Sequence, residues 1–258
     1  MALKMTKLLV GNYMTAYPIS VKPTVPFKTA INFMAENGFS TLIVMEEQST
    51  IPLGVLTERE ILHNIVSEGK IPDKLIKDLS IQSFISVTPD TTVLEAAKLM
   101  ISKRVRILVF ADKDKLVGTI TASDMLRAFR RTIISPTLDK VISTKIYQCP
   151  FETSILDASK ILHEKNIGSI IITRDSMHGI FTQRDLVHLL EKGADLASKV
   201  GDYSSFPLVT AKKGILANEA ASIMAAKNIK RLVLTENDMP VGIITARDIV
   251  DAFQMELG

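Results

Sequence analysis

The sequence lacks the residues on which several kinds of site depend. It has a single cysteine, Cys149, so no disulfide can form within the chain, which is typical of proteins in a reducing compartment. Its four histidines have no metal-ligand spacing with acids or with the cysteine. We find no glycine-rich phosphate loop of the Walker or dinucleotide type, and no Ser–His–acid or Cys–His arrangement. The sequence therefore predicts no catalytic residues, no metal and no required cofactor.

Long apolar runs and strong charge are also missing. No stretch approaches the roughly 20 apolar residues of a transmembrane helix, and residues 1–10 lack the apolar centre of a signal peptide. The formal net charge is only +3, and aromatic residues, at 5%, do not alternate with the basic stretches, so nucleic-acid binding is not favoured. The content of hydrophobic residues, 47%, is ordinary for a globular protein. We expect a folded cytoplasmic protein without a membrane partner.

What the sequence does contain is a seven-residue motif that occurs four times. The motif reads Gly, two mostly apolar residues, Thr, two variable residues and an acid. It occupies residues 54–60, 118–124, 179–185 and 242–248. Copies that recur about every 60 residues indicate repeated supersecondary units.

Each copy predicts a strand, a tight turn and the start of a helix. The glycine and the apolar run are typical of a buried strand that begins at a turn, and Thr-x-x-acid before apolar residues at helical spacing is a helix N-terminus signature. One interpretation is a helix cap and nothing more. The other is an anion site, because a helix start offers free N–H groups and the acid can accept hydrogen bonds from ribose hydroxyls. Four copies in similar surroundings favour the second interpretation.

The regions between the motifs complete the repeated unit. Short extended segments at residues 19–21, 85–88, 145–147 and 207–210 open the units, and a helix and a second strand precede each motif. We predict an α/β (α+β) fold of four β-α-β-β-α repeats at residues 8–69, 76–132, 137–193 and 197–255, named repeats 1 to 4. A unit of about 60 residues buries little surface alone. We therefore expect two pairs, 1 with 2 and 3 with 4, with Pro136 near the joint.

The repeated motif resembles the signature of the CBS domain, named after cystathionine β-synthase, and the resemblance extends from about Val10 to Phe253. It implies that the repeats associate in pairs, called Bateman modules. The cleft of each pair would bind an adenosine compound such as AMP, ADP, ATP, NAD or S-adenosylmethionine. Two such modules in one chain resemble the layout of the γ regulatory subunit of AMP-activated kinase, whose four units form a disc.

The resemblance also implies roles for individual residues. The motif hydroxyls and the acids that would bind ribose are Thr121, Asp124, Thr182, Asp185, Thr245 and Asp248. Repeat 1 departs from the pattern, because Glu60 replaces the aspartate and its longer side chain moves the carboxylate. The cations expected near the phosphates, before the second strand or inside the motif, are Arg106, Arg184, Lys230, Arg231 and Arg247. Residues 146–253 form the better predicted nucleotide site, and repeat 2 is a second candidate.

Three functions remain open from the sequence. The leading hypothesis is a non-catalytic sensor that binds an adenine nucleotide and regulates a protein partner or a homodimer. The second is a structural or assembly module without nucleotide binding, which the glutamate of repeat 1 favours. The third is nucleic-acid binding through the basic residues at 212–213 and 227–231. Each arginine beside an acid can also be a weakly paired surface charge.

Overall fold

The structure is a computed structural model that describes residues 8–103, 105–111 and 115–257. Its described helices are α1 (Phe27–Asn37), α2 (Glu58–Glu68), α3 (Val93–Lys103), α4 (Ala122–Phe129), α5 (Ile155–Glu164), α6 (Gln183–Glu191), α7 (Ala217–Ala226) and α8 (Ala246–Leu257). Its described strands are β1 (Thr15–Ala16), β2 (Ser20–Val21), β3 (Thr41–Val44), β4 (Gly54–Thr57), β5 (Phe84–Val87), β6 (Arg106–Ala111), β7 (Lys115–Ile120), β8 (Gln148–Pro150), β9 (Ser169–Arg174), β10 (Met177–Thr182), β11 (Thr210–Lys212), β12 (Arg231–Glu236) and β13 (Met239–Thr245). The predicted α/β class and the β-α-β-β-α order are confirmed. No helix in these ranges is long and apolar enough to cross a bilayer.

The chain folds as two compact units, each assembled from alternate repeats. The 1/3 unit consists of Ile19–Gln82 and Tyr147–Leu208. The 2/4 unit consists of Met1–Pro18, Ser83–Ile146 and Val209–Gly258. Each unit is therefore discontinuous in sequence, and its core combines side chains from two repeats that are not neighbours along the chain.

The 1/3 unit contains two three-stranded sheets, ordered β2-β3-β4 and β8-β9-β10. In each sheet the first two strands run parallel and the last two form an antiparallel hairpin. Helix α1 of repeat 1 packs against α6, and α2 packs against both α5 and α6. Phe27, Met34 and Phe181 are fully buried in the resulting core. Burial of such apolar side chains is the main stabilisation that neither repeat provides alone.

The 2/4 unit follows the same plan. Its sheets have the orders β1-β7-β6-β5 and β11-β12-β13. Helices α3 and α4 of repeat 2 pack against α8 of repeat 4. The rings of Phe129 and Phe253 stack there with their centroids 4.9 Å apart. The helical contacts again join alternate repeats.

The strand that carries the motif also pairs, on its outer side, with a short extended segment from another repeat. Strand β1 lies on β7, and the isolated bridges of the other three sheets join Gln82 to Val55, Ser143 to Ile243 and Ser205 to Ile180. In every case the segment belongs to the repeat that is adjacent along the chain. Repeats 1 and 2 thus exchange their leading segments, and so do repeats 3 and 4. The pairing of repeats 1 with 2 and 3 with 4 remains a prediction.

The motif glycine has a different role from the one the sequence suggested. The prediction of a turn is wrong for Gly118, Gly179 and Gly242, which lie inside β7, β10 and β13, because these strands begin about three residues earlier than the apolar run. A Cβ atom on Gly179 would lie 2.6 Å from the ring of Phe206. At Gly54 it would lie 2.7 Å from the backbone oxygen of Gln82. The absent side chain therefore lets the exchanged segment lie against the strand.

The opening strands of repeats 3 and 4 also begin later than predicted, at Gln148 and Thr210. In repeat 3 the apolar character of residues 146–147 favoured the earlier start. The register of the sheet instead pairs Cys149 with Ile172. Cys149 is buried, and this burial raises the pKa of its thiol. Its predicted role in packing is confirmed.

We expect the substitution Gly179→Ala to destabilise the protein by about 1–3 kcal/mol, the usual range for overpacking. The new methyl group would meet the Phe206 ring well inside van der Waals contact. The measurement is the free energy of unfolding from urea titration, followed by circular dichroism.

The matched control is a double-mutant cycle with Phe206→Ala, which removes the ring that the methyl group would strike. The double variant should be more stable than the sum of the two single effects predicts. Simple additivity would show that Phe206 does not restrict position 179.

Candidate functional site

Each motif forms the same hydrogen-bonded cap between a strand and a helix. In repeat 4 the backbone N–H and the hydroxyl of Thr245 both donate to Oδ2 of Asp248, each at 2.7 Å. The backbone N–H of Asp248 in turn donates to the Thr245 hydroxyl at 3.3 Å. The same reciprocal cap joins Thr121 to Asp124 and Thr182 to Asp185. In repeat 1, Thr57 donates twice to Oε2 of Glu60, and its hydroxyl accepts from the N–H of Arg59 at 3.2 Å. One carboxylate oxygen and the hydroxyl proton are therefore used by the fold in every repeat.

The other carboxylate oxygen differs between repeats. In repeat 1, the side-chain amide of Gln82 donates to Oε1 of Glu60 at 2.7 Å. In repeat 2, Arg127 forms an ion pair with Oδ1 of Asp124 at 2.7 Å. In repeat 4, we find no hydrogen bond or ion pair to Oδ1 of Asp248 within the described ranges. In these ranges Asp248 therefore keeps one oxygen as an available acceptor, whereas the equivalent oxygens of Glu60 and Asp124 already have partners.

The environment of Asp248 is electrostatically unfavourable for a carboxylate. Burial raises the pKa of Asp248, and the hydrogen bonds from Thr245 offset this only in part. The nearby carboxylate of Asp251 raises the pKa further, and Arg247 lowers it. A buried carboxylate with an unused oxygen is stabilised by additional hydrogen-bond donors. Such donors are what a vicinal diol would supply.

The backbone brings several predicted phosphate-binding residues to the same place in repeat 4. Arg231 is the first residue of β12 and lies opposite Thr245 in the sheet. The carbonyl of Lys230 accepts a hydrogen bond from the N–H of Ala246, the first residue of α8. Arg247 is the next residue of this helix. The strand start, the cap and the helix start are thus contiguous.

Repeat 2 has a similar but less basic arrangement. Arg106 is the first residue of β6. The last pair between β6 and β7 is Ile107 with Ile120, and these residues adjoin Arg106 and Thr121 in the chain. Arg127 lies one turn beyond the cap and also donates to the carbonyl of Tyr13 at 2.8 Å. The arginine of repeat 2 that contacts the acid is therefore on α4, where the sequence analysis did not place one.

Arg184 is engaged within the 1/3 unit. Its Nε atom lies 3.3 Å from Oε1 of Glu58, which occupies the first variable position of the motif in repeat 1. Its Nη2 atom also donates to the carbonyl of Gly38. This contact fits the alternative interpretation, in which an arginine of the motif is a charge paired with an acid. The phosphate role of Arg184 remains a prediction.

Sequence reasoning missed three of these contacts. Arg127 follows Asp124 by three residues, so helical spacing could have revealed it. Gln82 and Glu58 reach their partners only through the tertiary structure, and no local pattern marks them. Within the described part of the chain, no group of three or more His, Cys, Asp and Glu side chains is arranged to hold a metal ion.

Comparison with solved structures identifies proteins of the same fold. Protein MJ1225 of Methanocaldococcus jannaschii, described as a candidate archaeal homologue of γ-AMPK, superimposes with a TM-score of 0.82 at 19% identity, over 95% of this chain and 99% of its own. A conserved protein of Pyrococcus horikoshii gives a TM-score of 0.67 at 18% identity, over 94% and 98% of the two chains. At these identities the likeness concerns the fold.

Comparison with curated proteins gives partial matches. Protein MK0525 of Methanopyrus kandleri is 37% identical over 107 residues, which cover 40% of this chain and 54% of that protein. Protein MJ1404 of Methanocaldococcus jannaschii is 24% identical over 261 residues, which cover 93% of this chain and 61% of that protein. The chain spans about half the length of the first curated relatives it matches.

The family comparison covers most of the chain. The profile of the CBS domain matches residues 10–67, 76–131, 138–192 and 200–254. Each matched range contains one motif and its cap. The chain therefore belongs to the CBS domain family and contains four copies of the domain.

Proposed function

We propose that this protein is a non-catalytic regulatory protein that binds an adenine nucleotide, AMP, ADP or ATP, with repeat 4 as its principal site. The observation that carries the proposal is the partly buried carboxylate of Asp248, whose second oxygen has no hydrogen bond or ion pair in the part of the chain that the structure describes. Membership of the CBS family supports the class of ligand. The likeness to MJ1225, described as a candidate homologue of γ-AMPK, supports a regulatory role.

The ribose is the part of the nucleotide that fits Asp248. Its two neighbouring hydroxyls are hydrogen-bond donors, and a carboxylate is an acceptor only. Donation to the unused oxygen would stabilise the charged form, which burial now disfavours. The ligand would thus supply the donors that Gln82 and Arg127 supply to the acids of repeats 1 and 2.

The phosphate fits the basic residues around the same cap. Arg231, at the start of β12, lies opposite Thr245 in the sheet. Arg247 lies in the first turn of α8 and precedes Asp248 in the chain. A helix N-terminus favours an anion, and an arginine can bind two phosphate oxygens at once. Lys230 adds a third positive charge. Adenine would lie among apolar residues of the strands.

The internal contacts rank the repeats. The acid of repeat 1 is saturated by Thr57 and Gln82, so this repeat fits the structural alternative. In repeat 2, a ribose would have to displace Arg127 from Asp124. We therefore place repeat 2 below repeat 4 and assign repeat 1 to the structure of its pair. Thr182, Asp185 and Arg184 remain candidate residues of repeat 3.

Regulation would follow from the ligand's preference for one conformation. A nucleotide held at repeat 4 would favour the conformation to which it binds more tightly, and that conformation would present a different surface to a partner protein or to a second copy of the chain. The shift cannot exceed the difference in the ligand's affinity for the two states.

We expect Asp248→Asn to weaken AMP binding by about tenfold or more, because a hydrogen bond to a charged acceptor contributes about 1.5–3 kcal/mol. Isothermal titration calorimetry with AMP on the 258-residue chain makes the measurement.

Two control variants isolate the site. Glu60→Gln alters an acid whose oxygens are already used and should leave AMP affinity unchanged. Arg247→Gln should weaken AMP much more than adenosine, since only AMP carries the phosphate. Equal AMP affinity for wild type and Asp248→Asn would refute the assignment of repeat 4.

A second prediction concerns pH. The folded-state pKa of Asp248 is raised, so its charge destabilises the fold above that pKa, and this penalty disappears as the pH falls and the carboxyl group is protonated. Asp248→Asn removes the charge. The stability of Asp248→Asn relative to wild type, measured as the difference in the free energy of unfolding, should therefore be greater at neutral pH than in acid.

Urea titrations at a series of pH values test the sign. Asp124→Asn is the matched control, because it removes the partner of Arg127 and should destabilise the protein at neutral pH by about 1 kcal/mol. A relative stability of Asp248→Asn that improves as the pH falls would show that Asp248 is favourably charged in the unliganded fold.

A further inference from the structure

The position three residues after the motif acid distinguishes the two repeats of the 2/4 unit. It holds Arg127 in repeat 2, after Asp124, and Asp251 in repeat 4, after Asp248, whereas the other two repeats have histidine there. Helices α4 and α8 both begin inside the motif, and residues three apart on a helix are neighbours on its surface. The two acids of this unit therefore have neighbours of opposite charge.

In repeat 2 this neighbour completes the hydrogen bonding of the acid. The Nη1 atom of Arg127 lies 2.7 Å from Oδ1 of Asp124, and Oδ2 accepts the two hydrogen bonds from Thr121. Asp124 is buried, with an exposed fraction of 3%. A carboxylate whose two oxygens both have donors gains little from a further one. Arg127 thus supplies, from inside the protein, the kind of hydrogen bond that a ribose hydroxyl would supply.

The segment before β1 holds Arg127 in this place. The Nη2 atom of Arg127 donates to the carbonyl of Tyr13 at 2.8 Å. Tyr13 is buried, and its own N–H donates to the carbonyl of Val10 at 3.0 Å. The guanidinium carbon of Arg131 lies 5.6 Å from the centre of the Tyr13 ring. A ribose at repeat 2 would therefore compete with a guanidinium that is fixed at two points.

In repeat 4 the equivalent neighbour has the reverse effect. The carboxylate of Asp251 is an acceptor only, so it cannot donate to Oδ1 of Asp248. Its charge contributes to the raised pKa of Asp248, which is partly buried. Like charges one helical turn apart destabilise each other. Asp251 therefore increases the need of Asp248 for donors and supplies none.

We propose that the residue three positions after the motif acid determines which repeat of the 2/4 unit accepts a ribose. Arg127 closes repeat 2 as an internal substitute for the ligand, and Asp251 keeps the acid of repeat 4 available. The inference rests on the proposed function, in which the motif acid binds the ribose, and adds the residue that selects between repeats. One side chain on a helix thus changes the binding capacity of a repeat without a change in its strand or its cap.

The first test removes the arginine. Arg127→Ala should add one AMP per chain to the number that wild type binds, as measured by isothermal titration calorimetry on the 258-residue chain. The substitution Asp124→Asn in the same background should abolish the additional binding. Thermal melts establish that the variants are folded.

Two variants control for this test. Arg127→Lys should add no AMP, because a lysine can pair with an aspartate at this spacing, as Lys160 does with Asp157 at 2.9 Å. Arg130→Ala removes the same charge from an exposed position just after α4 and should also add none. Together they separate the loss of the ion pair from a general loss of positive charge.

The second test introduces the arginine into repeat 4. Asp251→Arg should weaken both AMP and adenosine by about tenfold or more, because the new guanidinium would occupy Oδ1 of Asp248. An added positive charge would by itself strengthen the binding of a phosphate, so weaker AMP binding identifies occupation of the acid. Without ligand, Asp251→Arg should raise the melting temperature, and this gain should be absent when Asp248 is replaced by asparagine.

The combined variant Arg127→Ala/Asp251→Arg should bind AMP in a manner that depends on Asp124 and no longer on Asp248. The inference is overturned, and the proposed function stands, if wild type binds AMP through Asp248 while Arg127→Ala adds no AMP and Asp251→Arg binds it as tightly as wild type. If wild type binds no AMP, the proposed function fails. Asp124-dependent binding by Arg127→Ala would then still support the role of Arg127, and its absence would overturn both.

Discussion

The reciprocal hydrogen bonds between a threonine and an acid three residues later are the constraint on which the repeated structure depends. In each repeat the threonine donates twice to one carboxylate oxygen and so fixes where a strand ends and a helix begins. The second strand of each repeat pairs with the strand that carries the motif. The first residue of the second strand therefore lies beside the junction of motif strand and helix. Arg231, the first residue of that strand in repeat 4 and a proposed phosphate ligand, is therefore positioned by the same hydrogen bonds that start the helix.

The cap uses one carboxylate oxygen of the acid, and the partner of the other oxygen differs between repeats. Under the proposed function, this separation would let one motif serve folding in every copy and binding in only some. Gln82 satisfies the second oxygen in repeat 1, and Arg127 satisfies it in repeat 2. In repeat 4 the described residues supply no such partner, and partial burial raises the pKa of Asp248, so its charge is unfavourable. A binding group that is poorly stabilised before the ligand arrives is a common feature of functional sites. The acids of repeats 1, 2 and 4 therefore differ in the partners of their second oxygen although their motifs are nearly identical.

The features that sequence reasoning predicted are local ones. Thr245 and Asp248 are three residues apart, and a helix start requires that spacing, so the cap could be predicted without the fold. The role of Gly179 could not, because Phe206 approaches it from a segment that another repeat contributes. The pair of Arg184 and Glu58 joins residues that are far apart in sequence, and only the packing of α1 and α2 against α5 and α6 explains it. Side chains that bridge repeats carry no periodic signal, since periodicity describes each repeat by itself.

The contacts between repeats are also where equivalent copies become different. A duplicated unit inherits the same cap and the same core positions, and packing two copies together offers each contact twice, once in each direction. One substitution then changes one direction only: Glu58 pairs with Arg184, and the position equivalent to Glu58 in repeat 3 is the neutral Gln183. Such a difference requires no new backbone and leaves the core untouched. In a protein made of repeats, the departures from equivalence at the contacts between copies are therefore informative positions for locating binding sites, and the features that all four motifs share mainly report how each copy folds.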